Sequence, residues 1–186
     1  MSIRFRFAAT AILCTSLIAC GGGDDSSAAP TPAAATQIAV QSSGGDLSKY
    51  AGTWTSSGCG VGVVIGGGAT SGTDSYQFAT PVSTTVVTGT YTGYRYANAT
   101  CSGSPTVNTL LLTATFIASV PVVTATGSTQ LVGTADRLRF ERRRLDGIGF
   151  SPEDTYFTFS DNDSKLRNSG TATFSSSTLV LNRLPR

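Results

Sequence analysis

The chain has 186 residues, of which 13 are basic and 11 acidic, and it contains no histidine. The missing imidazole excludes Ser-His-Asp and Cys-His nucleophilic sites and removes the commonest metal ligand. A formal charge of +2 leaves no broad basic surface to neutralise phosphates, which excludes nucleic acid as a partner, and the 13 % of charged residues is low for a cytosolic domain and suits an exported β protein.

Taken from the start, Arg4 and Arg6 precede an apolar stretch from Phe7 to Ile18, too short to cross a bilayer, which needs about 20 such residues. The stretch runs into Leu17-Ile18-Ala19-Cys20. This arrangement resembles the lipobox of bacterial lipoproteins, whose cysteine is acylated and whose preceding peptide is removed. The resemblance implies that residues 1–19 are a signal peptide and that Cys20 carries the lipid. Acyl chains add about 0.8 kcal/mol per buried methylene, so several of them hold a protein at a membrane almost permanently. Gly21 in place of an aspartate implies sorting to the outer membrane, on the periplasmic face or the cell surface. Loss of Arg4 and Arg6 leaves 11 basic residues against 11 acidic ones, a mature charge near zero.

Residues 20–46 hold the lipidated cysteine and a Gly/Ser/Ala/Pro tether, a coil with a mean span of about 28 Å. Only Gln37-Ile38-Ala39-Val40 interrupts it with strand character. From residue 47 to residue 186, β-branched and aromatic runs alternate with turn residues. The pattern predicts strands at Thr53–Ser57, Val61–Ile65, Ser75–Thr80, Thr84–Tyr96, Thr106–Ser119, Ser128–Arg142, Thr155–Ser160 and Ser177–Leu184. Between them lie Gly66-Gly67-Gly68, Ser102-Gly103-Ser104-Pro105, Ala125-Thr126-Gly127, Asp146-Gly147 and Asp161-Asn162-Asp163, each a turn sequence. Leu47–Tyr50 is the one candidate helical turn. About eight strands in this length predict an all-β fold, an antiparallel up-and-down barrel or alternatively a β-sandwich. In Thr84–Tyr96 the residues Val87, Gly89, Tyr91, Gly93 and Arg95 share one face, and glycine beside tyrosine suits sharply bent strands.

Of the four cysteines, Cys14 leaves with the signal peptide and Cys20 is lipidated, so Cys59 and Cys101 form a pair in an oxidising compartment. A disulfide between them stabilises the domain by about 4 kcal/mol on the chain-entropy model.

Leu47-Ser48-Lys49-Tyr50-Ala51-Gly52-Thr53-Trp54 is an apolar turn followed by Gly-x-Trp at the start of the first predicted strand. It resembles the opening of lipocalins and related barrels, in which the tryptophan closes one end beneath an arginine from the last strand. The resemblance assigns barrel closure to Gly52, Trp54 and Arg183, and it implies an interior able to hold a small apolar ligand. The 47–186 stretch also resembles a group of uncharacterised proteobacterial lipoproteins with Gly-Thr-Trp, a nearby cysteine and a second cysteine after a Tyr-rich strand.

The eight carboxylates of this stretch show no catalytic or metal-binding arrangement: Asp146, Asp161 and Asp163 fall in turns, and Asp161-Asn162-Asp163-Ser164 lacks the glycine and distal glutamate of a calcium loop. The expectation is therefore a protein without enzymatic activity or cofactor. Arg137, Arg139, Arg142, Arg143 and Arg144 form the one charge cluster. On a strand, Arg137, Arg139, Glu141 and Arg143 share one face, with Leu138, Phe140, Arg142 and Arg144 on the other. The cluster is read either as a solvated strand face or as an anion or docking patch, for lipid headgroups or for a carboxylate at a barrel mouth. Two functions stay open: an anchored barrel that binds an apolar ligand, and an anchored structural or interaction protein with a filled barrel and an envelope partner.

Overall fold

The structure is a computed structural model of the whole chain, and the residues described are 35–63, 69–81, 83–124, 129–175 and 178–185. The expected signal peptide, Cys14, Cys20, most of the tether and the Gly66-Gly67-Gly68 and Ala125-Thr126-Gly127 separators lie outside the described residues. Among the described residues there are twelve strands: β1 Thr36–Val40, β2 Gly52–Ser56, β3 Gly60–Val63, β4 Ala69–Phe78, β5 Val86–Tyr96, β6 Thr106–Pro121, β7 Val123–Thr124, β8 Thr129–Arg144, β9 Glu153–Ser160, β10 Lys165–Ser169, β11 Thr173–Phe174 and β12 Leu179–Arg183.

Eight of them close a ring in chain order. β2, β4, β5, β6, β8, β9, β10 and β12 each pair antiparallel with the next, and β12 returns to β2 through Arg183 opposite Trp54. The fold is therefore the up-and-down barrel, not the sandwich. Closure leaves no ring strand with a free edge.

The membership of the ring differs from the expectation in one exchange. Val61–Ile65 was expected as a barrel strand, but β3 pairs only with β4 and stands beside the ring. Its place is taken by Lys165–Ser169, which reads as polar because its only large apolar side chain is the inward Leu166. The compact unit also begins near residue 34 rather than at 47. β1 lies parallel to the lower half of β8, Thr36 beside Thr129 and Val40 beside Gly133, and Gln41 then exchanges backbone hydrogen bonds with Phe159. β1 thus falls within the stretch expected as tether.

Alternation along each strand sends one residue in two inward. Tyr76 faces Tyr91, Tyr91 faces Leu110, and Phe78 faces Gly89 across the ladders. Gly89 is required there, since a β-carbon would lie 2.2 Å from the Gln77 carbonyl oxygen. Below the ring, β6 and β8 extend past a bulge at Phe116/Ala118. That extension carries a second apolar cluster on its outer face, in which Val40, Leu131, Ala135 and Phe174 are buried beside Tyr156. β7 and β11, paired parallel, hold Phe174 there.

Candidate functional site

One end of the barrel is plugged. Asp46 accepts a hydrogen bond from the Ser48 amide and starts a 3-10 turn, Leu47–Tyr50, whose Leu47 and Tyr50 side chains are wholly buried in the barrel core. Gly52 follows at φ +120, a backbone that side-chain-bearing residues rarely adopt, and turns the chain into β2. Trp54 then donates from Nε1 to the Tyr50 carbonyl at 2.7 Å, and Arg183 stacks 4.6 Å above its ring and donates to the Lys49 carbonyl. The three residues assigned to closure thus meet at one point. Such a stacked guanidinium contributes about 0.5–2 kcal/mol.

A further member of the plug is Asp136, which is wholly buried on the inward face of β8. Its Oδ2 accepts from the Tyr50 hydroxyl at 2.6 Å and from the Ser43 amide at 2.8 Å, so one carboxylate holds both crossing segments. Burial, and then this carboxylate, push the Tyr50 phenol well above its ordinary range, which keeps it a hydrogen-bond donor. The signal for Asp136 was its spacing: it shares a period-2 face with Leu138 and Phe140.

The interior is occupied by rings. Tyr50 lies 5.7, 5.9 and 4.8 Å from Phe78, Phe157 and Phe159, and Phe157 also meets Tyr76 at 5.8 Å and Phe140 at 5.5 Å. All five partners are at most 5 % exposed. These are the separations of aromatic side chains in direct contact.

The other end is a polar mouth. Tyr91 donates to Asp74 Oδ1 at 2.6 Å, and Arg95 reaches both, at 2.8 Å each. Burial first, and then the bond to Asp74, push the Tyr91 phenol up to about 12. Across the mouth Arg142 pairs with Glu153 and covers the Phe140 ring, 5.7 Å from its centroid, while Asn168 donates to the Tyr76 hydroxyl at 3.1 Å. The Cys59–Cys101 disulfide joins the β2–β3 and β5–β6 connections, closing a sequence separation of 42 residues.

The arginine cluster divides as its spacing implies. Arg142 and Arg144 fall on the inward side of β8, where Arg144 pairs with Asp146 at 3.2 Å. Arg137 and Arg139 point outward and share Asp154. Their hydrogen bonds, Arg139 foremost, hold the Asp154 carboxyl below the usual carboxylate range. Arg143 alone has no ion pair among the described residues. The five arginines therefore do not form one patch. Just beyond them, Leu145, Ile148 and Phe150 stand exposed on the β8–β9 hairpin, which the strand pattern did not single out.

These features define a closed, filled, up-and-down β-barrel with one plugged end and one charged mouth. Comparison with protein-family models, with curated proteins and with solved structures finds no match.

Proposed function

We propose that this chain is a lipid-anchored cell-envelope protein of the outer membrane whose barrel is a rigid body that meets its partner through its outside. The observation that carries this reading over ligand carriage is the filled interior: rings in mutual contact occupy the space that a carrier leaves for its ligand. Support for the anchor comes from the sequence, where Leu17-Ile18-Ala19-Cys20 closes a charged and then apolar segment and a polar tether follows. The plug supports a static role, because Asp136, Tyr50 and Ser43 tie the covering segment to the wall.

Native mass spectrometry on residues 34–186, beside a denatured control, tests the barrel. A bare mass two hydrogens light is expected; a discrete extra mass released on denaturation would return the reading to an apolar-ligand carrier. The anchor is tested on the full chain made in a Gram-negative host. Membrane-fraction protein beginning at an acylated Cys20 is expected, and Cys20→Ala should release it; an unmodified Cys20 would overturn this part.

A further inference from the structure

We infer that the β8–β9 hairpin is a membrane-contacting tip, seated in the interface of a lipid bilayer. Leu145, Ile148 and Phe150 are 70, 59 and 50 % exposed, although each sits in a defined turn. Arg144 donates its amide to the Ile148 carbonyl at 2.8 Å, Phe150 donates to the Arg142 carbonyl at 2.9 Å, and Asp146 Oδ1 accepts from the Ile148 amide at 3.2 Å. The backbone is thus held in a shape that displays these side chains. Leu111, exposed on the neighbouring β6, lies opposite Arg143 at the base of this turn. Such a cluster is unusual on a wholly solvated protein.

Two observations select a bilayer as the occupant. The first is charge: Arg143, which has no ion pair among the described residues, stands at the base of the turn to meet anionic headgroups. The second is the route of the chain. The segment that carries Cys20 reaches the fold at Thr36, beside Thr129 at the start of β8, and β8 runs from there to Arg144 at the base of the tip. A barrel lying on its β8 side places the chain's point of arrival, the outward Arg137, Arg139 and Arg143, and the apolar tip along one line. The outward charges on that line nearly balance, with Glu141 and Asp154 opposing the three arginines, so apolar insertion dominates and anionic lipid adds a smaller increment.

The choice of occupant rests in part on the proposed anchor, but the contact itself belongs to the barrel, so the test uses residues 34–186, a unit whose core is drawn wholly from within it. Failure here would leave the acylation of Cys20 untouched. The probe is vesicles of phosphatidylcholine, with and without phosphatidylglycerol. Leu145→Trp should blue-shift on adding vesicles, read as a difference from the wild type, whose Trp54 is fully buried. Changing Leu145, Ile148 and Phe150 to serine together should lower vesicle partitioning about tenfold or more while leaving the circular dichroism unchanged. Arg143→Glu should weaken binding to the anionic vesicles roughly tenfold and spare the neutral ones. No blue shift and no co-sedimentation at millimolar lipid would overturn the inference. So would a triple variant that binds like wild type, or a dimer in ultracentrifugation that the triple variant abolishes and vesicles do not dissolve.

Discussion

Phe157 projects from β9 into the centre of the barrel with no exposed surface, and its ring meets those of Tyr50, Tyr76 and Phe140 at 5.9, 5.8 and 5.5 Å. Phe157→Ala removes this ring from a place where the strands cannot close in, because each is held on both sides by the ring ladder. A Phe→Ala change in a core costs about 3–5 kcal/mol, and three lost ring contacts place this one near 4 kcal/mol. With a urea slope of about 2 kcal/mol per molar, the unfolding midpoint should fall by about 2 M. The assay is urea unfolding of residues 34–186 with the disulfide intact, followed by circular dichroism and Trp54 emission. The vacated space is apolar, and such cavities stay dry and take up benzene. Added benzene should therefore raise the midpoint of the variant and not that of the wild type. A loss below about 1 kcal/mol, or an equal rise in the wild type, would refute the filled interior.

Asp136→Ala leaves the Tyr50 hydroxyl and the Ser43 amide buried without their acceptor, and should cost about 3 kcal/mol in the same assay, far more than any single surface arginine. Gly133→Ala should free β1 and the Gln41 bridge: at φ +146, the new β-carbon would lie 1.8 Å from the Val40 carbonyl oxygen, so amide exchange should accelerate at Ile38–Gln41 and at Phe159, whose amide donates to Gln41, and stay slow at Phe157, which pairs with β8. Asp154 has a folded pKa below its unfolded value of about 3.9, so its pairing with Arg139 and Arg137 stabilises the fold above that pH and is lost as pH falls through the folded pKa. Asp154→Asn should accordingly show a shallower fall in thermal midpoint than the wild type as pH drops below about 4.

The closed end was legible because its parts are chemically loud. Gly52 and Trp54 announce a strand start, and the resemblance to the opening of lipocalins implied a last-strand arginine over the tryptophan, where Arg183 stacks at 4.6 Å. β10 was hidden for the opposite reason. Lys165-Leu166-Arg167-Asn168-Ser169 places one leucine inward and leaves the rest half-buried, so its strand character comes from pairing with β9 and β12 rather than from its own residues. The described part of the more apolar Val61–Ile65 run, in β3, pairs with β4 outside the ring. Apolar content measures what a segment can bury, and here the barrel needed only one buried side chain at that position. The mouth was half visible: Tyr91 and Arg95 share a face in the sequence, but their partner Asp74 sits just before the predicted start of its strand, and only the ladder between β4 and β5 brings the three together.

The parallel docking of β1 has a mechanical consequence. Any tension in the chain that precedes Thr36 enters the fold along β1, in line with its strand axis, and the five residue pairs to β8 share the load in shear instead of opening one after another. The strain then passes into β8, the strand that runs the full height of the barrel, and through the Gln41–Phe159 bridge into β9. A swivelling leash would protect a domain by yielding; this clasp transmits a pull directly to the wall, so the barrel turns with whatever draws on its leading segment.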